Sequence, residues 1–192
     1  AELQLLTATG MELITAGAMT VNGISAANSN NVTNLVIDAV GAITFATGAS
    51  TFNNLTVQSD AAVNANVNIT TDTGALAIDA DADNGTAGLL TVAAGVTLTS
   101  AAGITLDATT NDITFTAAGT LNAVNGVTIN DAVTATGGTL TIDADTDNDG
   151  TGAFTTAAAG TINSTGQTLD ITAGNVVIGA AVTAATQLNI TD

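Results

Sequence analysis

The residues with most chemistry to offer are seven aspartates in two short runs. Asp79, Asp81 and Asp83 alternate with alanines before Asn84-Gly85, and Asp143, Asp145, Asp147 and Asp149 alternate with Ala, Thr and Asn before Gly150. Asp145-Thr146-Asp147-Asn148-Asp149-Gly150 fits the D-x-D-x-D-G opening of a calcium loop, in which alternating acids converge and the glycine allows the sharp turn, while the run at Asp79–Asp83 is displaced by one residue relative to its glycine. Counted from Asp145, the twelfth position falls on Thr156, so the bidentate acid of an EF-hand is missing. The expected chemistry is calcium held by carboxylates and backbone carbonyls at Asp79, Asp81, Asp83, Asp143, Asp145, Asp147 and Asp149, with no other cofactor required. The competing reading is a pair of solvated corners, where Asp and Asn favour turns and supply solubility.

Composition narrows the partners. Lys, Arg and His are all absent, and 17 acidic residues give a formal charge of −17. Nucleic acid is excluded as a partner, because binding it needs cations on the protein. Divalent cations are the natural counter-charges. Enzymatic activity is not expected: without His, Lys, Arg, Cys or Tyr, neither a nucleophile–base relay nor a cationic clamp can be built. Only a pair of carboxylates of the glycosidase kind remains available. No run of 18 apolar residues is present to span a bilayer as a helix.

The elements that position the acids announce themselves by repetition. Leu76 matches Leu140, Ile78 matches Ile142, and Asp79, Asp81 and Asp83 match Asp143, Asp145 and Asp147, all 64 residues apart. Upstream, Val57, Val63 and Ile69 match Leu121, Val127 and Val133 at the same offset. Asp149 reads as one extra residue, so that Gly85 pairs with Gly150 and Gly95 with Gly160. Ile37, Val57, Ile78, Leu98, Leu121, Ile142 and Ile162 recur at gaps of 20 to 23, so 64 reads as three turns of about 21 residues, the coil of a parallel β-helix. Triplets such as Ile43-Thr44-Phe45, Leu55-Thr56-Val57, Leu90-Thr91-Val92 and Ile113-Thr114-Phe115 place their outer residues inward and their threonine outward on a short strand. Absence of proline agrees with strands whose N–H groups all join ladders. The expectation is one all-β domain over 1–192: a single-stack parallel β-solenoid of roughly nine coils, with the repeat clearest at 57–120 and 121–184 and with uncapped ends.

Two segments are less regular. Glu12–Ala16 is expected as strand, because Gly10 and Gly17 bracket it too tightly for a helix, and 25–31 as a polar corner loop. If the triplets stack in register, Thr56, Thr91, Thr97, Thr105, Thr114, Thr128 and Thr141 form ladders on the faces of the rod. Such arrays give an alternative reading, a ligand-binding solenoid with an ice-binding or carbohydrate-adhesive surface of Thr and Asn.

The run Leu140–Gly150 and the many Ala-Gly-x-Thr-Leu or Gly-Ile-Thr-Leu units resemble repeats of large secreted bacterial β-helical surface proteins, the filamentous-haemagglutinin-like exoproteins and β-strand-repeat adhesins. The resemblance covers most of the chain as style and composition. It implies an extracellular or cell-surface structural protein: a subunit or segment of a fibre, filament or adhesin shaft. Its partners would be copies of itself stacked end to end, or neighbouring repeats of a longer chain.

Overall fold

The computed structural model describes residues 3–109, 111–184 and 186–192. Short strands follow one another round a triangular coil, and each pairs in parallel with its counterpart one coil on. This builds three sheets, of eight, eight and seven strands among the described residues. Sheet A begins at Ala8–Thr15 and continues through Val32–Ala39, Leu55–Ser59 and Leu76–Asp79 to Asn175–Ile178; sheet B runs from Met19–Val21 to Val182–Ala184; sheet C runs from Ser50–Phe52 to Gln187–Thr191. The rod makes about 8 turns of about 23 residues, and stacked at ~4.8 Å per coil it is roughly 38 Å long.

Alternation causes this architecture. In Ile43–Phe45, Leu90–Val92, Ile113–Phe115 and Val127–Ile129 the outer residues are buried and the central one is half-exposed, as a pleated strand with one wet face requires. Register then stacks like on like. Ile43, Val63, Leu90, Ile113, Val133, Ile162 and Val182 form one continuous column on sheet B. Leu98, Leu121, Ile142 and Ile171 form one on sheet C. All four phenylalanines lie inside. Bulk alternates along the column: Phe45 stacks on Ala65 and Phe115 on Ala135. Phe115 also lies where a side chain on Gly119 would sit, so large and small residues interdigitate.

The corners are tied from within by hydroxyls. Ser59 Oγ accepts from the amides of Ala61 and Ala62 and reaches the Gly41 carbonyl one coil back. Thr71 Oγ1 donates to Gly74 O at 2.7 Å and meets Ser100 Oγ of the next coil at 3.1 Å. Buried hydroxyls are tolerable here because each is satisfied.

Strand Ala8–Thr15 includes Glu12–Thr15, as the sequence led us to expect. Residues 25–31 differ from expectation. They hold the short helix Ala26–Ser29, which stands where sheet C would have its first strand. Ser29 Oγ donates to Thr51 O at 2.7 Å, and Ile24 exchanges backbone and side-chain hydrogen bonds with Ser50 and Thr51. That edge of sheet C is therefore covered, where the sequence predicted an uncapped end.

The coil also differs in length from the expected 21 residues. Ile37, Val57 and Ile78 do stack on sheet A at gaps of 20 and 21. The next residue stacked on Ile78 is Leu106 rather than Leu98. Likewise Ile171, not Ile162, stacks on Ile142. In both coils an acidic loop bulges from the column and adds residues without adding a turn. Eight longer turns replace nine short ones. The 64-residue repeat therefore spans eight strands rather than three coils: Leu76 and Ile78 lie on sheet A, and their matches Leu140 and Ile142 lie on sheet C.

Candidate metal centre

The two acidic loops occupy different corners. Loop 79–88 leads from sheet A to sheet B, and loop 143–152 from sheet C to sheet A. Each grows from a strand whose last residue is the first aspartate, Asp79 in Leu76–Asp79 and Asp143 in Leu140–Asp143. Their geometry is the same up to the sixth residue. Asp79 Oδ1 accepts from the Asp81 amide at 3.1 Å, and Asp143 Oδ1 from the Asp145 amide at 3.2 Å. The Asn84 amide donates to Asp81 O and the Asn148 amide to Asp145 O, both at 2.9 Å. Both asparagines are left-handed, at φ 52° and 54°, a region that Asn enters more readily than most residues. Each loop closes on a glycine with no room for a Cβ. One on Gly88 would strike Asp81 Cβ, and one on Gly152 the carbonyl oxygen of Ala144.

These closing glycines are 64 residues apart, so the loops are equally long. Asp149 takes the place of Gly85 and is not an insertion. The additional residue that puts Gly95 and Gly160 at 65 comes later, after strand Ala153–Thr156.

The replacement changes the chemistry of the loop. In loop 79–88 the Gly85 amide caps both Asp81 Oδ1 and Asp83 Oδ1, at 3.0 and 2.9 Å. In loop 143–152 the cap comes one residue later, from the Gly150 amide to Asp145 Oδ2 at 2.9 Å, with Gly150 at φ 81°. Asp149 faces the same space, and one carboxylate oxygen from each of Asp145, Asp147 and Asp149 lies within 4.8 Å of the other two. Asp145 is buried, while Asp147 and Asp149 are exposed. Asp145 Oδ1 is sealed from solvent and accepts no hydrogen bond. Partial desolvation, the Asp149 charge and the adjoining Asp145 carboxylate raise the Asp147 carboxyl above its ordinary value. Asp149 is lowered, because Thr151 donates to it through both Oγ1 and its amide.

Of the seven predicted ligands, three thus converge in one loop. Asp143 stays behind, turned to the Asp145 amide. Asp79, Asp81 and Asp83 join a different feature, an acidic strip along the corner between sheets A and B. Asp38, Gln58, Asp79 and Asp107 are successive register partners on sheet A. Asp60 lies close enough to Asp83, Asp38 and Asp81 that, after local desolvation, their charges raise its carboxyl. Burial first, and then the Asp107 and Asp60 charges among others, raise Asp79 despite the Asp81 amide. Asp107 and Asp131 meet side chain to side chain. Asp131 is raised to about 6 by burial and by that contact. On Asp107, burial is outweighed by hydrogen bonds from Asp131, Asn130, Thr109 and the Ala108 amide, which lower it. The contact leaves no room for a glycosidic oxygen, which needs carboxyl groups ~5 Å apart or more. The sequence reading missed this strip. Its signal was there, as an apolar-Asp-Ala step recurring at Ile37-Asp38-Ala39, Ile78-Asp79-Ala80 and Leu106-Asp107-Ala108.

Sheet B carries the cleanest outward ladder: Thr20, Thr44, Asn64, Thr91, Thr114, Thr134, Asn163 and Thr183, one per coil. Thr56, Thr105 and Thr128 stand on sheet A with Ala77 among them, and Thr97 and Thr141 on sheet C with Thr120 between them. No helix among the described residues is long and apolar enough to cross a membrane. Comparison with protein-family models, with curated proteins and with solved structures finds no match, and what the chain shares with β-helical repeat proteins is its solenoid fold.

Proposed function

We propose that the chain is structural: a β-solenoid section of an extracellular or cell-surface rod, whose coils continue by stacking on further coils. The observation that carries this reading is the state of the final coil. Leu188 and Ile190 are register partners of Leu169 and Ile171. Leu169 and Ile171 are 0% and 2% exposed, whereas Leu188 and Ile190 are 44% and 52% exposed. Ile178, stacked on buried Thr156, is exposed beside them. The last described coil thus turns Ile178 on sheet A and Leu188 and Ile190 on sheet C outward, an apolar surface that a further coil, of a longer chain or of another copy, would cover. At the opposite end Leu13, Met19 and Ile24 are only partly covered.

In this reading the resemblance to adhesin and exoprotein repeats is one of role as well as style. Three continuous ladders resist extension, apolar stacking fills the column, and the carboxylate coat keeps rods apart until their ends meet. The test is sedimentation and electron microscopy of the purified chain beside an Ile190→Asp variant. Wild type is expected to associate end to end into filaments of constant width, and the variant to stay as single short rods. A wild type that remains monomeric at the highest soluble concentration would refute self-stacking.

One observation favours a second reading of the exterior as an adhesive face: the uncharged Thr/Asn ladder on sheet B, unbroken over eight coils in a chain otherwise rich in aspartate. Glycan-array and ice-recrystallisation assays on Thr91→Lys, Thr114→Lys double variants would separate it from the structural role, which those variants leave intact.

A further inference from the structure

We propose that loop 143–152 is a calcium site, in which Asp145, Asp147 and Asp149 hold one Ca2+ that locks the corner between sheets C and A. The argument begins with the buried acid. Asp145 is 4% exposed, and its Oδ2 is capped by the Gly150 amide. Its Oδ1 lies out of water with no donor. A buried carboxylate oxygen without a partner carries the full cost of its lost hydration. The usual remedy is a basic side chain, and this protein has no Lys, Arg or His at all. The remaining neighbours are two more carboxylates. Acceptors brought face to face need something positive between them, and here that can only be a proton or a cation.

The donor set selects the cation. One oxygen from each acid lies within 4.8 Å of the other two, near enough for a single ion to touch all three, and three carboxylates on an irregular loop suit the flexible oxygen shell of Ca2+ better than the near-ideal octahedron that Mg2+ demands. All three donors are hard oxygens, and no thiolate or imidazole exists in the chain to favour a softer metal. Two of the three acids are exposed at the loop surface, which leaves an open path for the ion and for the waters that complete a coordination number of 6–8.

Loop 79–88 makes the internal control. It has the same length, the same asparagine turn and the same closing glycine. It has Gly85 where the site has Asp149, and the Gly85 amide ties up Asp81 and Asp83. Two-thirds of the liganding set is present and the third is replaced by a donor. The site thus belongs to one loop, although the sequence motif is shared by both.

Bound calcium would act on the stack. The Gly174 amide of the following coil donates to Gly152 O at 2.8 Å, and Gly174 packs so closely on Gly150 that a Cβ there would overlap it. A fixed loop therefore fixes the next coil. The site is independent of the end-to-end contact, since it lies in the sixth coil and not at either end.

The experiment is calorimetric titration of the purified chain with CaCl2, and separately with MgCl2, in buffered 0.15 M NaCl. Thermal unfolding is followed by circular dichroism in calcium and in chelator. Wild type should take up one Ca2+ per chain, and saturating calcium should raise the unfolding midpoint by roughly 5–10 °C. Asp149→Asn keeps the Thr151 cap but loses a charge, and should weaken binding at least tenfold. Asp83→Asn should leave it unchanged. Asp145→Asn gives a readout that mere structure would not: more stable than wild type in chelator, because the orphaned charge is gone, and less stable than wild type in calcium. Should Asp145→Asn fail to fold, Asp149→Asn and Asp83→Asn decide alone. Absence of calcium uptake by wild type would overturn the proposal. Equal loss from Asp83→Asn and Asp149→Asn would also overturn it, by showing a diffuse counter-ion cloud; so would equal affinity for Mg2+.

Discussion

The Asp107–Asp131 contact makes stability depend on pH in a way that one substitution should erase. Asp131 rises from an ordinary value of 3.8 to about 6 in the folded chain, a little over two units. At ~1.36 kcal/mol per unit the full linkage would approach ~3 kcal/mol. Both carboxyls lie half-exposed at a corner, so solvent screening reduces the expectation to ~1 kcal/mol. The sign follows from the direction. A carboxyl that holds its proton more tightly when folded favours the folded state while protonated. That contribution is complete below the unfolded value, 3.8, and is lost as pH rises through about 6. Asp131→Asn keeps an acceptor for the Ala108 amide, bonded at 3.1 Å in wild type, and offers Asp107 a permanent donor. The variant should match wild type near pH 4 and exceed it by ~1 kcal/mol at pH 8. Urea unfolding in chelator, followed by far-ultraviolet circular dichroism because the chain lacks Trp and Tyr, gives the difference at each pH. General relief of the −17 charge acts on both proteins and cancels. Parallel stability curves for the two from pH 4 to 8 would refute the shared proton.

Other consequences can be checked with the same unfolding assay. Leu121→Ala empties a position that is 0% exposed between Leu98 and Ile142 and should cost ~3–5 kcal/mol, against under ~1 kcal/mol for Ile190→Ala on the open end. Ser100→Ala removes a hydroxyl that bridges Gly74 O, Gly103 O and the Ala102 amide; it should cost ~1–3 kcal/mol and speed hydrogen exchange at that corner first. Gly152→Ala should unseat the acidic loop and weaken calcium uptake with it, because its Cβ has no space. Gly10→Ala, with nothing nearby, should be neutral within ~0.5 kcal/mol.

Fold class was legible because a solenoid repeats a local rule. Apolar-Thr-apolar on three residues specifies which way each side chain points, and that alternation survives in every triplet named from sequence. Coil length was less legible, because a one-dimensional spacing of 20 or 21 cannot tell a full turn from two-thirds of a turn plus a bulge. Ile78 to Leu98 has the spacing of a coil and is not one. Helix Ala26–Ser29 escaped notice for a different reason: four residues have no periodicity, and the segment gains its place only by lying against Ser50 and Thr51. Within the acidic loops the motif located the convergent acids, while their division into a trio and a strip depended on which amide caps which carboxylate. Two differences bear on that: Asp149 stands where the other loop has Gly85, which moves the amide cap, and loop 79–88 alone lies beside the charges of Asp38, Asp60 and Asp107; neither can be read from the motif.

That the same 64-residue pattern sits on different faces follows from the physics of the column. Each face asks the same of its strands: two inward apolar residues, one outward polar residue, and a corner that turns by about a third of a circle. An inward Leu-x-Ile is satisfied on sheet A at Leu76 and Ile78 and equally on sheet C at Leu140 and Ile142. The interior therefore exerts no force that would keep the repeat in phase with the coil. What differs between faces is outside. On sheet A the aspartate ending the strand falls in line with Asp38 and Asp107 and becomes part of a strip. On sheet C it falls between Asn122 and Thr172, where no column of charge competes for a cation, and the loop beyond it can gather its own. Rotating one motif by a third of a turn thus separates the Asp145, Asp147 and Asp149 cluster from the strip; if that cluster holds calcium as proposed, Gly85→Asp should gain little calcium affinity at loop 79–88, because the neighbouring Asp38, Asp60 and Asp107 spread the ion along the strip. Recovery of a second tight site per chain in that variant, read by the same titration, would show instead that loop sequence alone suffices.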